Sequence, residues 1–234
     1  MKFEKLPEHV AITLDGNRRW ALSHGLEKKE GIYHGIQKTE EIMYDWTRRF
    51  EKEFGVKPFK ELTIHALTLN NMERPKEELR TITEGFIKAF GEARKNKKYE
   101  NVRVNFGGRR NLLSKKLQEE MRLLEKHSEN YTDYNFNVCI AYDGTDEINR
   151  AIITSKFDLE DEKKPQDFMF FPRARPIDLY IRTSGEKRLS GFMLYYIGYA
   201  ELFFLDCLAE DFTYDQFVEV LDEYSNKRQR RFGK

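Results

Sequence analysis

In "LDGNRRW", Leu14 to Trp20, an aspartate, a Gly-Asn pair and two adjacent arginines follow a short apolar run. An acid beside guanidinium groups is costly to pack and well suited to a phosphorylated ligand with its metal. Arginine's forked donors match phosphate oxygens, and a carboxylate takes a hard cation. Two other segments carry residues of the same kind. "LTLNNMERPKEE" supplies Thr68, Asn70, Asn71 and Arg74; "IRTSGEKRLS" supplies Arg182, Glu186, Arg188 and Ser190, with Glu201 soon after in "YAELFF". Asp15, with Glu201 as a second acid, can hold a magnesium ion that keeps several waters and takes its remaining ligands from phosphate. Each group also has a plainer reading, Asp15 as a turn cap, Arg188 as a surface cation and Glu201 as its ion-pair partner. Known phosphate loops are excluded, since neither GxxxxGK[ST] nor GxGxxG follows the first apolar run. A haloacid-dehalogenase-type DxDG is excluded too, because Thr13 stands where its nucleophilic acid belongs.

Such residues converge only if the chain brings them to one edge of a sheet. β-rich apolar runs recur at "HVAITL", "ELTIHAL", "NVRVNF", "YNFNVCIAY" and "IDLYIRT", with "LFFLD" as a sixth, and helix-like segments separate most of them. This alternation predicts an α/β fold with a largely parallel sheet covered on both faces, in which ligands bind beyond the carboxyl ends of the strands. Ile42, Met43, Trp46, Phe50 and Phe54 fall on one helical stripe. Leu79, Ile82, Phe86, Ile87, Phe90 and Ala93 fall on another, after Pro75, a residue suited to a first helical turn. Both stripes read as core, and Phe86 and Phe90 are bulky enough to line a long apolar cavity. Phe157 to Pro176 reads as an irregular crossover with room for one helical turn, and the basic tail "NKRQRRFGK" as a frayed end.

No composition shift marks a seam in the 234 residues, so one domain, 1–234, is expected. Charged residues make up 35% of the chain, yet the net charge is only +1, so no broad field for nucleic acid exists and none is expected as a partner. There is no basic-then-apolar leader and no apolar run long enough to cross a bilayer; a soluble, cytoplasmic protein is the expectation. Cys139 and Cys207 lie far apart, outside any metal spacing, and read as small core residues.

Taken together, "HVAITLDGNRRWA", "NNMERPKEE", "IRTSGEKRLSGFMLYYIGYAELFF" and "QRRFG" resemble the cis-prenyltransferases, the undecaprenyl diphosphate synthase family, in order from about His9 to Gly233. The resemblance implies a single α/β domain with a mainly parallel six-stranded sheet, flanking helices and an apolar tunnel for a growing polyprenyl chain. It implies Mg2+-dependent condensation of an allylic prenyl diphosphate with isopentenyl diphosphate, giving a Z double bond. By that resemblance Asp15 and Glu201 are the acids near magnesium, and Asp15 and Asn71 the catalytic residues. Gly16, Asn17, Arg18, Arg19, Trp20, Lys28, Thr68 and Arg74 fall to the allylic diphosphate and its loops. Arg182, Arg188 and Ser190 fall to isopentenyl diphosphate. Arg231 and Gly233 match a terminal RxG that reaches the neighbouring subunit's active site, which turns the frayed tail into a working one. A homodimer is implied, a heteromer is compatible, and a product so apolar implies transient contact with a membrane surface.

Departures from the family pattern bear on the substrates. Arg18 replaces a glycine, Lys28 an arginine and Ile32 a histidine, with His34 displaced by two; "LTLNNMER" replaces FSSENWNR, and "YDGT" replaces YGGR. They leave open a different allylic starter, another acceptor, or coupling that is not head-to-tail. A non-catalytic partner subunit is the alternative from another class, but such subunits typically lose the aspartate and arginines retained here.

Overall fold

A computed structural model describes residues 3–155 and 164–227. Six strands form one sheet: β1 (His9–Thr13), β2 (Glu61–Thr68), β3 (Val102–Gly107), β4 (Tyr134–Tyr142), β5 (Leu179–Arg182) and β6 (Glu201–Phe204). Their order is β3-β4-β2-β1-β5-β6, and every ladder is parallel. All six expected runs are therefore strands, and the sheet is wholly rather than mainly parallel. A parallel sheet must be covered on both faces. Accordingly, alternate residues feed two cores: Val10 and Ile12 of β1 join Leu179 and Ile181 on one face, whereas Ala11 joins Tyr180 and Cys139 on the other. The crossover from β1 leads to β2 on one side, and the chain later crosses from β4 to β5 on the other side of β1. That is where an open parallel sheet leaves a crevice at its carboxyl edge.

The helices are α1 (Asn17–Ser23), α2 (Lys28–Glu40), α3 (Thr47–Phe54), α4 (Lys76–Ala93), α5 (Lys115–Ser128), α6 (Gly144–Ser155) and α7 (Tyr214–Lys227). Between α2 and α3 the chain runs as a π-helix over Glu41–Trp46, which departs from a single 3.6-residue stripe. Its wider turn buries Ile42, Met43, Tyr44 and Trp46 together, and Phe50 follows on α3, with Phe54 only partly buried. On α4 the second stripe holds from Ile82 onward: Ile82, Phe86 and Phe90 are buried, and Ile87 and Ala93 pack against the same core, whereas Leu79 is only partly buried and outside it. Pro75 caps that helix one residue before its first turn. The described part of the crossover carries one 3-10 turn, Pro165–Phe168. Cys139 is buried, while Cys207 is only partly so. Among the described residues no helix is long and apolar enough to cross a membrane.

Pairing is irregular where β2 and β4 reach the carboxyl edge. His65 pairs with Cys139 and Leu67 with Ile140, so Ala66 is an extra residue; Thr68 then pairs with Tyr142, leaving Ala141 unmatched at φ 50°. Bulges of this kind bend a strand and re-aim its side chains, and they are common next to active sites.

Candidate active site

Asp15 lies just past β1, and its main chain is pinned from both sides. The Thr183 hydroxyl accepts its N–H at 2.9 Å and donates to its carbonyl at 2.8 Å. The carboxylate Oδ2 accepts from Arg182 at 2.8 Å. Arg182 is buried, its side chain 3% exposed against 35% for Asp15. It is held further by Ser190 Oγ at 2.9 Å and by the Arg188 carbonyl. Its Nε has no partner among the described residues.

The turn after Asp15 needs glycine. Gly16 has φ 108°, and a Cβ there would stand 2.7 Å from Leu208 Cδ2. Asn17 is clamped by α2, where a Cβ on Gly31 would meet the Asn17 carbonyl oxygen at 2.2 Å and one on Gly35 would meet Asn17 Nδ2 at 1.7 Å. Two glycines one helical turn apart thus let α2 close on the start of α1.

Arg18 and Arg74 converge on one carboxylate, Glu78 Oε1, at 3.5 and 2.9 Å. Burial lowers Arg74's pKa; Arg18 pushes it the same way and Glu78 opposes. Two cations sharing a single acid leave uncompensated positive charge for an anionic ligand. Arg19 reaches the Ser184 carbonyl at 3.5 Å. Thr68 and Asn71 lock each other: the Asn71 N–H donates to Thr68 Oγ1 at 3.0 Å, and the Thr68 N–H donates to Asn71 Oδ1 at 3.3 Å.

These groups surround the mouth of one cavity of about 970 Å³. Asp15, Gly16, Asn17, Arg18, Arg19, Thr68, Asn70, Asn71, Arg74, Arg182 and Ser190 all line it, and its deeper wall is apolar, with Phe86 and Phe90 among the lining. Those two rings stack in parallel, centroids 5.7 Å apart, so the second stripe serves core and cavity at once.

Other expected residues stand elsewhere. Trp20 turns away, donating from Nε1 to Asp211 at 3.0 Å and packing on His24 and His34. Lys28 is exposed at the start of α2. The Arg188 side chain is 60% exposed and pairs with Glu186, so what it gives the site is its carbonyl. Glu201 stands apart from Asp15 within the chain. It opens β6 opposite Leu179, which lies level with Val10, so Asp15 is five positions further along the strand direction, roughly 16 Å at strand rise. Arg231 and Gly233 lie outside the described residues.

Sequence reasoning missed His65, Asp143, Thr145 and Leu194, which also line the cavity. The altered "YDGT" was the available signal for Asp143, whose carboxylate accepts the N–H groups of Thr145 and Asp146 and so caps α6. His65 stacks on Phe192 at 4.6 Å; burial drives its imidazole down to about 4, against a bond to the Tyr142 carbonyl, so the ring is neutral at pH 7.

A magnesium site is compatible with this donor set. Asp15 offers a hard oxygen at an open cavity mouth, and magnesium commonly uses one or two carboxylates plus waters and substrate phosphates. Among the described residues no cluster of three acids, histidines or cysteines forms a ready-made metal cage.

The family described as "Putative undecaprenyl diphosphate synthase" matches residues 13–233. An isoprenyl transferase of Aquifex aeolicus is 39% identical, covering 98% of this chain and 97% of the relative. A tritrans,polycis-undecaprenyl-diphosphate synthase (geranylgeranyl-diphosphate specific) of Pyrococcus horikoshii is 37% identical, covering 98% and 88%. Among solved structures, lavandulyl diphosphate synthase from Lavandula x intermedia, in complex with dimethylallyl diphosphate, superimposes with a TM-score of 0.83 at 26% identity over 97% of this chain and 98% of that one.

Proposed function

The chain belongs to the undecaprenyl diphosphate synthase family, a family of prenyltransferases, and from that premise we propose that it condenses an allylic prenyl diphosphate with isopentenyl diphosphate, with Mg2+, to give a Z-polyprenyl diphosphate. Prenyl chain elongation is its chemistry. The observation that carries the specific reading is the cavity itself: arginines with Asp15 and Asp143 line its mouth, and its depth is lined mostly by hydrocarbon.

In the reaction the allylic carbon–oxygen bond breaks with its electrons going to diphosphate. The acceptor's double bond attacks the allylic carbon, and loss of a proton from the acceptor's C2 forms the new double bond. Negative charge grows on the departing diphosphate, so donors fixed before reaction stabilise the transition state more than the ground state. Arg18, Arg19 and Arg74 face that leaving group, with Gly16 and Asn17 shaping its turn. Asn71, locked by Thr68, holds the loop in place. Arg182, positioned by Asp15, Ser190 and the Arg188 carbonyl, takes the acceptor's diphosphate. Asp15 would hold the magnesium, which when bound adds positive charge at the leaving diphosphate. The apolar wall keeps water from the carbocation.

A geranylgeranyl starter is proposed on the strength of the Pyrococcus horikoshii relative, whose name specifies it. Assembly as a homodimer, with Arg231 and Gly233 reaching a neighbouring site, and release of product at a membrane surface complete the proposal. The test is product analysis with radiolabelled isopentenyl diphosphate and geranylgeranyl, farnesyl or dimethylallyl diphosphate, with magnesium or with a chelator. Elongation that the chelator abolishes is expected, with NMR of the product showing Z double bonds. No product from any pair overturns the reading in favour of a partner subunit. Product from allylic diphosphate alone replaces the acceptor.

A further inference from the structure

The cavity extends away from the Asp15 turn between α2 and α4, which run in the same direction. Gly85 of α4 faces Ile36 and Tyr33 of α2, and further along the two helices Glu92 of α4 is close enough to act on Glu40 of α2. Glu78 marks the mouth, so Glu92 lies fourteen residues deeper, roughly 21 Å at helical rise. Over that depth the lining from α2 and α4 includes Ile36, Phe86, Ala89, Phe90 and Ala93.

The apolar wall is interrupted at Glu40, the last residue of α2. Of the lining acids, Asp15 and Asp143 sit at the carboxyl edge of the sheet; Glu40 is the one away from it among the described residues. The Tyr99 hydroxyl, from the 3-10 turn Lys97–Tyr99 just past α4, bonds its carboxylate. Tyr99 in turn packs on Tyr44, which also lines the cavity, with ring centroids 4.1 Å apart. Lys98 lies over both rings and pairs with Asp45 at 3.1 Å. The π-helix begins with the next residue, Glu41, and its wide turn is what brings Tyr44 into the wall behind Glu40. The far end of an otherwise greasy channel is thus built as a braced polar stop.

We infer that Glu40, held by Tyr99 at the far end of the cavity, is a specificity-determining residue that limits how many isoprene units the product carries. Each added unit gains by leaving water for hydrocarbon until its terminal methyls reach the carboxylate. Beyond that point growth must strip solvent from a charged group and offer it no hydrogen bond, which costs more than the unit gains. Burial already raises the Glu40 pKa, with Lys98 and the Tyr99 hydroxyl opposing and Glu92 and Asp45 adding to the rise. Further desolvation works in the same direction.

The inference rests on the prenyl-transfer reading and is tested in the full chain by product length. Glu40→Leu and Glu40→Gln are compared with the parent, using geranylgeranyl diphosphate and excess isopentenyl diphosphate. Glu40→Leu is expected to lengthen the main product by at least one unit. Glu40→Gln, which keeps a partner for Tyr99 and protects the fold, shifts the product the same way but less far. The rate of the first condensation stays within about twofold of the parent, because nothing changes at the mouth. A parental product distribution, or shorter products, from a folded and active variant overturns the inference. Failure of the parent chain to make any product strikes the prenyl-transfer reading instead.

Discussion

Replacing Asp15 separates the ion pair it makes with Arg182 from the metal-holding role proposed for it. In Asp15→Ala the buried guanidinium loses one charge-assisted bond but keeps Ser190 Oγ and the Arg188 carbonyl. Removing one partner of a fully buried ion pair costs about 3–5 kcal/mol. Asp15 is a third exposed, so water can reach the site, and the expected loss falls to that of one charged hydrogen bond, about 1.5–3 kcal/mol. For a chain of this size that is a fall of roughly 3–12 °C in melting temperature. Asp15→Asn keeps an acceptor for Arg182 and loses only roughly 1 kcal/mol. Both variants lose roughly 100- to 1,000-fold in kcat, as for other preorganised charge-stabilising groups. Inorganic diphosphate alone should raise the melting point of Asp15→Ala, since an anion now answers Arg182; at a hundred times its Kd it returns about 2.7 kcal/mol. Adding magnesium to that diphosphate should stabilise the parent further and neither variant. An unchanged melting point in Asp15→Ala refutes the neutralising role. Equal stabilisation of parent and variants by magnesium diphosphate refutes the metal role.

Two other perturbations follow from the packing. Gly35→Ala puts a methyl 1.7 Å from Asn17 Nδ2; the clash must move α1, with a cost of about 1–3 kcal/mol in urea unfolding and a weaker KM for the allylic diphosphate. Native KM and stability would show that the helices do not meet so closely. Glu210 has both carboxylate oxygens buried without a partner among the described residues, and burial raises its pKa to about 7. The folded state therefore keeps a proton that the unfolded chain releases above the usual 4.5. Glu210's contribution is fully present below that value and lost as pH rises to about 7. Glu210→Gln should match the parent in chemical denaturation at pH 4.5 and be more stable at pH 8. A constant difference between the two pH values would contradict this.

The sheet was legible because each strand is an uninterrupted β-rich run bounded by turn residues, and the cavity mouth because Asp15, Arg18, Asn71 and Arg74 follow strands in the chain and Arg182 ends one. Glu201 shows the limit. A motif block says which residues are neighbours in sequence, but not which end of a strand they occupy, and Glu201 opens its strand while Arg182 closes one. Trp20 and Arg19 are adjacent in "NRRW", yet one packs outward on histidines and the other lines the cavity. Only the direction of α1 decides between them. The π-helix was hidden for a different reason, since buried residues at successive positions fit no single period. Glu40, sitting among the charged residues of α2, carries no local sign that it faces hydrocarbon.

The glycine clamp has a mechanical meaning. Gly31 and Gly35 seat α2 on Asn17, and the same helix carries Ile36 and Glu40 along the cavity wall. One helix thus links the turn at the cavity mouth to the wall at its far end, so displacing α2 at Asn17 displaces Glu40 with it.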